Sequence, residues 1–328
     1  MTKSVIRKVY ILDGGELELD ASVMLSLTNP GTKIRIAVRQ FLVETDRGYV
    51  LIDTGNDPLI AQGQAMAEER WGVPLATAAR PIMGQHQTIS EQLKLVGLTN
   101  DDIKMVIYTH LHHDHCGAAT EFPNALHVVQ KAEYRFAMQL DRFAAFPYRK
   151  HEYDDPNLNW QFAEGDWSIL PGIHLISTPG HTPGHQSIAL WDVPDVGNLI
   201  ITGDAVNCRE NISTDTLGGI MYDARMAADS VHRIVALAQA NGIEVNPHVW
   251  GSAVAQAASL HLIAALPVAH HSVFARPPVL EYDLSSHPFR RELGTEPIEM
   301  ADGAVPVPQG PGLGIALRAD TLERFRIG

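Results

Sequence analysis

Four histidines and one aspartate lie within six consecutive positions, at His110, His112, His113, Asp114 and His115. Imidazole and carboxylate groups suit metal binding better than core packing, because each buried imidazole needs a partner. In an extended segment, alternation puts His110 and His112 on one side, and a turn can bring Asp114 and His115 to a second point nearby. Without thiolate clusters this donor set favours zinc, with iron, manganese or cobalt as alternatives. The stretch therefore predicts a site for two metal ions.

The rival interpretation of this stretch is a histidine-rich surface loop that scavenges metal. The flanking sequence argues against it, because the apolar run from Met105 to Tyr108 predicts a strand immediately before the histidines, and Gly117 ends the stretch. Sites are commonly built where strands end. We therefore expect the histidines to follow a strand of a sheet.

Two more apolar strands are predicted to end on residues of the same types. The strand from Ile173 to Ser177 leads into a Pro-Gly repeat that carries His181 and His185, and the strand from Leu199 to Thr202 leads to Asp204. The Pro-Gly pairs give the chain a tight, rigid course that fixes the direction of the imidazoles. Three strands thus deliver ligand-type residues at their carboxyl ends, which predicts a single site.

The whole chain has 328 residues, 45% of them apolar, which is enough for one large core or for one domain with an appendage. Its formal net charge of -13 argues against nucleic acid and anionic membranes as partners. Two cysteines, Cys116 and Cys208, are too few for a disulfide framework and are expected to be reduced thiols. Neither a signal peptide nor a run of transmembrane length is evident, so we expect a cytoplasmic protein.

Predicted strands and helices alternate around the candidate residues, which is typical of an α/β fold. A capping box at Thr88–Glu91 predicts the start of a helix that Gly97 ends. The irregular segment from Phe143 to Trp160 is either a long connection or a lid or pocket wall. The other predicted strands are Val5–Leu12, Ile34–Val38, Tyr49–Ile52 and Leu126–Gln130, and the other predicted helices are Leu59–Trp71, Ala132–Leu140 and Tyr222–Ala240.

The pattern His-x-His-x-Asp-His at 110–115, placed after a strand, resembles the signature of the metallo-β-lactamase superfamily. The resemblance covers residues from about 5 to about 240 and implies a four-layer αββα sandwich. Within the superfamily the chain resembles the N-acyl-homoserine lactonases and the related 4-pyridoxolactonase-like enzymes. That narrower likeness rests on Asp53-Thr54-Gly55, on the stretch Val128–Tyr134 and on the stretch Thr178–Ser187.

The resemblance implies a ligand set for two zinc ions, with other divalent metals as alternatives. His110, His112 and His181 would hold one ion, Asp114, His115 and a last histidine the other, and Asp204 would bridge both. His113 is expected to face away, and His185 to hydrogen-bond backbone. Asp53 either caps a turn or braces the metal loop from behind, and the Asp-Thr-Gly motif implies the second role.

One position departs from the lactonase pattern. The family places a tyrosine three residues after the bridging aspartate, where its hydroxyl can assist the substrate carbonyl, and this chain has Asn207 there. An amide can donate a hydrogen bond but cannot pass on a proton. Asp114 is expected to accept and return the catalytic proton, with Asn207 as the remaining donor.

The end of the chain resembles a different family. The stretches Pro247–Ser252, Val279–Leu284 and Gly310–Gly314, with a helix predicted at Ala253–Leu266, resemble the closing part of enolase-superfamily, mandelate-racemase-like proteins. We therefore predict a hydrolase domain at 1–242 and an extra C-terminal segment at 243–328. His248 follows a predicted short strand, Ile243–Val245, and is the expected last metal ligand; His261, His270 and His271 are less suitably placed.

The leading hypothesis is a zinc-dependent hydrolase that opens a lactone, with N-acyl-homoserine lactones as favoured substrates and quorum quenching as the implied role. A thioesterase of the glyoxalase II kind or a phosphotriesterase is the second hypothesis, because the same metals serve all these reactions. A metal-binding protein without turnover is the third. The expected partner is a small lactone or ester, and whether the protein is a homo-oligomer is left open.

Overall fold

The computed structural model describes residues 3–241, 253–265, 291–300 and 304–324. The chain divides into two compact units, Met1–Leu237 and Ala238–Gly328. Within the described residues, no helix combines the length and the apolar character that a membrane crossing requires. The predicted division at 242/243 stays a prediction.

A seven-stranded sheet forms the first half of the larger unit. Antiparallel pairing joins the first four strands of the spatial order β4-β1-β2-β3-β5-β6-β7, and the pairs from β3 to β7 are parallel. The parallel strands point their carboxyl ends to one edge, where ligands bind in sheets of this kind. The strands are β1 (Ile6–Asp20), β2 (Lys33–Thr45), β3 (Gly48–Ile52), β4 (Arg80–Ile82), β5 (Ile103–Ile107), β6 (Leu126–Gln130) and β7 (Asn159–Ala163).

A second, antiparallel sheet faces the first. It has the order β11-β10-β9-β8, with β8 (Trp167–Leu170), β9 (Ile173–Ser177), β10 (Gln186–Val193) and β11 (Gly197–Ile201). A core between the two sheets joins Val43 and Ile107 of the first to Leu175 and Ile188 of the second, all fully buried. Each such side chain contributes about 1.5–3 kcal/mol by leaving water.

Helices cover the outer faces. Ile89 and Leu93 of the helix after residue 88 pack with Leu51 and Val106 on the outside of the large sheet. On the other side Ser230 donates a 2.6 Å hydrogen bond to the Pro179 carbonyl at the end of the small sheet. The layers are therefore αββα, as predicted. The helices are α1 (Gln64–Trp71), α2 (Val73–Ala78), α3 (Ile89–Leu95), α4 (His113–Cys116), α5 (Lys131–Met138), α6 (Lys150–Tyr153), α7 (Arg209–Ser213) and α8 (Ala224–Ala240).

Two local predictions were wrong. The helix expected over Leu59–Trp71 is interrupted at Gly63, whose φ of 115° is a conformation that favours glycine, so a 3-10 helix (Pro58–Gln62) precedes α1. The capping box at Thr88 does not form, because the Thr88 hydroxyl donates to the Gln85 carbonyl at 3.0 Å instead of capping α3. Gly97 does end that helix, with a φ of 78°.

The segment from Phe143 to Trp160 is more regular than the sequence suggests. It contains α6, and β7 begins at Asn159. The first strand is also longer than predicted, because β1 runs on through Gly14 and Gly15 with a register shift between Asp13 and Glu16. A bulge absorbs the glycines that the sequence suggests as a strand end.

The smaller unit has its own apolar cluster. Ala257 and Leu260 of α9 (Ala253–Ala265) pack with Ile298, with Val305, Val307 and Ile315 against them. A short helix, α10 (Ala319–Arg324), follows. The predicted segments Pro247–Ser252 and Val279–Leu284, and with them His248, lie outside the described residues.

Candidate metal centre

The histidine stretch follows β5 directly. The fully buried strand residues Val106 and Ile107 anchor it, and Tyr108 and Thr109 lead into His110 without exposure to solvent. His112 has extended backbone and stands immediately before α4, so the chain turns there. The extended segment and the turn are those expected from the sequence, and they place His115 one helical turn beyond His112.

Three imidazoles converge at one point of the centre. Ligand atoms of His110, His112 and His181 lie within 4.8 Å of one another. His112 Nδ1 and His181 Nε2 are 3.0 Å apart, and His110 Nε2 is buried without a hydrogen-bond partner. Burial lowers the pKa of His110 and His112 well below the usual value, which keeps both rings neutral. Neutral imidazoles with unshared lone pairs fit a metal ion, so this donor set fits the predicted cofactor.

A second group of ligand atoms adjoins the first. His110, His115 and Asp204 also offer atoms within 4.8 Å of one another. Asp204 faces both groups, with Oδ1 3.3 Å from His115 Nε2 and Oδ2 3.4 Å from His181 Nε2. Asp114 Oδ2 lies 3.7 Å from His115 Nε2. Asp204 thus occupies the position that a bridging carboxylate would need.

The carboxylates and histidines of this centre shift one another's pKa values. Burial opposes ionisation of Asp204, but His115 and His181 outweigh it and hold the pKa of this carboxyl well below its usual range. Burial likewise opposes protonation of His115, yet Asp114, Asp204 and Asp53 raise its pKa well above the usual value. The centre is therefore rich in negative charge and attracts cations.

Asp53 braces the histidine stretch from β3. Its carboxylate accepts from the Thr109 backbone N–H at 2.7 Å, from the Thr109 hydroxyl at 2.8 Å, and faces His115 Nδ1 at 2.8 Å. The residue has a φ of 58°, a left-handed conformation that aspartate tolerates better than most residues. The bond to His115 Nδ1 leaves Nε2 of that ring toward the centre, which is the usual arrangement behind metal-bound histidines.

Two more histidines are oriented by their second nitrogen. His181 Nδ1 donates to the Ile220 carbonyl at 2.8 Å, so its Nε2 lone pair faces the centre. His185 Nδ1 lies 3.1 Å from the Thr178 carbonyl, and its Nε2 accepts from the Asp204 backbone N–H at 3.0 Å. Burial lowers the pKa of His185 to about 3. With both nitrogens engaged, His185 positions Asp204 and has none left for a metal.

Glu133 of α5 is a further residue of the centre, to which the sequence alone assigned no role. This fully buried carboxylate accepts from Leu111 N–H at 3.0 Å and Tyr148 O–H at 2.8 Å with Oε1, and from Thr182 O–H at 2.6 Å and Gly184 N–H at 3.1 Å with Oε2. It therefore ties the loop of His110 and His112 to the loop of His181. Two sequence signals were present: Glu133 lies in the lactonase-like stretch Val128–Tyr134, and it is an acid in the first turn of α5, which usually indicates no more than helix-end electrostatics.

The remaining predicted residues lie around the centre. His113 is buried with its ring centroid 4.3 Å from that of Trp71, and burial lowers the pKa of His113 to about 4. Asn207 lies in the wall of the adjoining cavity and donates its backbone N–H to Asn211 Oδ1 at 2.8 Å. His248 lies outside the described residues, and its role stays a prediction.

A cavity of about 830 Å³ opens onto the centre. Its lining includes His112, Asp114, His115, His181 and Asp204. Its walls are largely aliphatic and come from β1, β2, α2 and β11, including Val9, Ile11, Leu17, Leu19, Ile36, Val38, Leu75, Leu199 and Ile201. A cavity that combines these ligand-type side chains with aliphatic walls suits a ligand with a polar head and a hydrocarbon tail.

Known protein families match both parts of the chain. The metallo-beta-lactamase superfamily model matches residues 36–241, and the enolase C-terminal domain-like model matches residues 204–321. The second match confirms the likeness of the tail and begins earlier than residue 243, so the two matches overlap. The chain belongs to the metallo-β-lactamase superfamily.

Similar proteins of known activity place the chain more narrowly within the superfamily. The N-acyl homoserine lactonase AttM of Azorhizobium caulinodans is 31% identical over 75% of this chain and 95% of its own length. The N-acyl homoserine lactonase of Bacillus cereus is 32% identical over 70% of this chain and 87% of its own. A structure of a B. thuringiensis AiiA mutant with N-decanoyl-L-homoserine at its active site is 31% identical, with a TM-score of 0.65 over 72% of this chain and 90% of that chain. Within the superfamily, the chain belongs to the N-acyl homoserine lactonase family.

Proposed function

We propose that this protein is a metal-dependent hydrolase that opens lactone rings, with N-acyl homoserine lactones as the favoured substrates. One observation carries the proposal: His112, His181 and Asp204 of the ligand-type cluster line a cavity of about 830 Å³ whose other walls are largely aliphatic. A lactone at the cluster would leave its acyl chain against the aliphatic walls. The likeness to lactonases with homoserine products at their metal centre or active site supports the same substrate class.

The cofactor in this proposal is a pair of zinc ions. His110, His112 and His181 would hold one, Asp114, His115 and His248 the other, with Asp204 between them. When bound there, zinc would supply Lewis-acid chemistry at neutral pH, making a water more acidic and the substrate carbonyl more electrophilic. The hydrolase domain would comprise residues 1–242, with the last ligand contributed from the segment at 243–328.

Residues of the chain transfer the proton, bind the substrate carbonyl and position the ligand-bearing loops. Asp114 faces the cavity and accepts the proton released on attack, then returns it to the alkoxide when the ring opens. Asn207, also in the cavity wall, donates an amide N–H to the carbonyl oxygen. Asp53 and Glu133 hold the two ligand-bearing loops in place, and His185 holds Asp204.

Asn207 favours a second candidate function. Where the family has a proton-donating phenol, the amide suits substrates whose leaving group departs without proton assistance, such as a thioester or an aryl phosphate. A thioesterase or phosphotriesterase activity of the same centre is the alternative to lactone hydrolysis.

Relative rates on a matched panel test the proposal. Zinc-loaded protein is assayed on an N-acyl homoserine lactone, a thioester and an aryl phosphate, with the Asp204→Asn variant as the control for the centre. We expect the lactone to give the highest kcat/KM, and Asp204→Asn to lose metal and rate together. Folded, two-zinc protein that hydrolyses no lactone or ester would refute the proposal. A higher rate on the thioester or phosphate would support the alternative.

The proposed activity and the net charge also indicate which partners the protein has. A small lactone or ester is the proposed partner, and the net charge of -13 supports the prediction that nucleic acid and anionic membranes are not bound. A cytoplasmic location and the oligomeric state stay predictions.

A further inference from the structure

A second cluster of ligand-type side chains lies apart from the centre described above. Asp57 precedes the 3-10 helix Pro58–Gln62, and His151 and Glu152 belong to α6. One potential ligand atom from each of the three lies within 4.8 Å of the other two. None of these residues has a part in the proposed lactone chemistry.

Glu152 has a buried oxygen with nothing to bind it. The residue is 2% exposed, and its Oε1 has no hydrogen-bond partner. Its Oε2 receives only the weak Cys116 thiol donor, with 3.9 Å between sulfur and oxygen. The Trp71 indole N–H lies near this carboxylate and favours its ionised form, but makes no hydrogen bond of normal geometry to it. Because an unsatisfied buried carboxylate oxygen is costly, a closer donor, a proton or a cation would stabilise it.

Two arginines, Arg70 and Arg149, lie near the two carboxylates of the cluster, but only Asp57 has a direct ion pair among the described residues. Asp57 is also 2% exposed, accepts from the Leu59 N–H at 2.9 Å and pairs with Arg70. Burial, with Asp57 nearby, raises the pKa of Glu152 well above its usual value. Arg70 pairs directly with Asp57. Arg149 and Arg70 also act on Glu152 and oppose the rise in its pKa, although neither forms an ion pair with it within the described residues. A positive charge between the two carboxylates would relieve their repulsion.

The distance between His151 and Asp57 suits a shared cation better than a direct hydrogen bond. His151 Nε2 lies 3.9 Å from Asp57 Oδ2, which is too long for a hydrogen bond. The same separation is less than twice the usual zinc–ligand distance of about 2.0–2.2 Å, so one ion can contact both atoms when it displaces Arg70 from Asp57 Oδ2. The His151 side chain is 38% exposed, so the cluster has an approach from solvent.

We propose that Asp57, His151 and Glu152 form an additional binding site for a divalent transition metal, with zinc the best match. One imidazole and two carboxylates leave a coordination position for water. The ion would join α6 to the segment that follows β3, behind the loop that carries the candidate centre. The site does not rest on the proposed lactonase activity.

Zinc stoichiometry tests the site in the full-length protein. Zinc alone is titrated into metal-free protein against a chromophoric chelator, and bound metal is measured after gel filtration. His151→Gln and Glu152→Gln should each bind one zinc fewer than the unmodified protein. Melting temperatures in chelator identify any variant that fails to fold. If Glu152→Gln fails to fold, His151→Gln still tests the site, because His151 is exposed and its substitution should not disturb the core.

Two further variants show whether a loss of zinc comes from the additional site or from the candidate metal centre. His232→Gln is the matched control, because that exposed histidine pairs with a single carboxylate, Asp215, at 2.9 Å and should bind as much zinc as the unmodified protein. Asp204→Asn should lose metal from the candidate centre but keep the additional zinc, so failure of one site is distinguishable from failure of the other. Equal zinc content in His151→Gln and the unmodified protein would overturn the proposal and leave a proton as the partner of Glu152.

Discussion

Glu133→Gln is the most direct test of how the two ligand-bearing loops are held together. Each carboxylate oxygen of Glu133 accepts one backbone N–H and one hydroxyl: Leu111 and Tyr148 on Oε1, Gly184 and Thr182 on Oε2. Glutamine has one oxygen and one NH₂ group. A hydroxyl can rotate to accept from the NH₂ group, but a backbone N–H cannot. In either orientation of the amide, one backbone N–H is therefore left facing another donor.

The magnitude follows from this count. One unsatisfied buried backbone N–H costs about 1–3 kcal/mol, and the bonds that remain lose the assistance of a charged acceptor. Relief from burying a charge offsets part of the loss. We expect the free energy of unfolding to fall by about 2–4 kcal/mol. Because the two loops carry His110, His112 and His181, metal affinity should also fall, by roughly 10–100-fold, as is usual when a supporting group is removed.

Urea denaturation in chelator measures the first effect, and zinc competition measures the second. Glu164→Gln is the matched control, because this exposed residue forms a surface ion pair with Lys131 and its loss should change stability by no more than about 0.5 kcal/mol. The backbone of Gly184 packs directly against the backbone of Glu133, so that a Cβ added at Gly184 would lie 2.0 Å from Glu133 N. The loop that contains Gly184 therefore cannot shift to follow the glutamine without rearranging α5. If Glu133→Gln matched Glu164→Gln in both assays, the bridging role would be wrong.

Three other substitutions test separate parts of the molecule. Asp53→Asn keeps a residue that tolerates the left-handed turn but removes the charge behind His115, so zinc affinity should fall by roughly 10–100-fold with little change in fold; unchanged zinc affinity would contradict the bracing role. Asn207→Tyr should raise kcat on lactones more than on activated aryl esters, which need less proton assistance, and equal changes on both would remove Asn207 from the chemistry. His127 is kept neutral by burial, which lowers its pKa below 6.5, so the unfolded chain takes up a proton that the folded chain does not and stability is lost as pH falls below about 6.5. His127→Gln should therefore flatten the pH dependence of the urea midpoint between about pH 7 and pH 5, and an unchanged slope would assign that dependence to other groups.

The amino-acid sequence by itself determined the class of the protein and the main residue types of the centre. Apolar strands that end on His110, His181 and Asp204 are local patterns, because a strand and the residue after it are neighbours in the chain. The α/β class was predicted from these patterns, and the four-layer sandwich, the superfamily and its lactonase branch were predicted from the resemblance of the motifs; all were confirmed. Helix boundaries were less secure: the interruption at Gly63 depends on a backbone conformation that the hydrophobic pattern does not report.

The tertiary structure decided what surrounds those residues. Glu133 meets Leu111, Tyr148 and Gly184 only because β5, β6 and the loop after β9 come together at one edge. Asp57 and Glu152 are 95 positions apart, and nothing local to either marks them as neighbours. Sequence patterns report which side of a strand or helix is apolar, whereas contacts between distant segments depend on the order of strands and the packing of layers. Burial then decides which polar atoms lack partners, and those atoms are where the chain has capacity to bind something else.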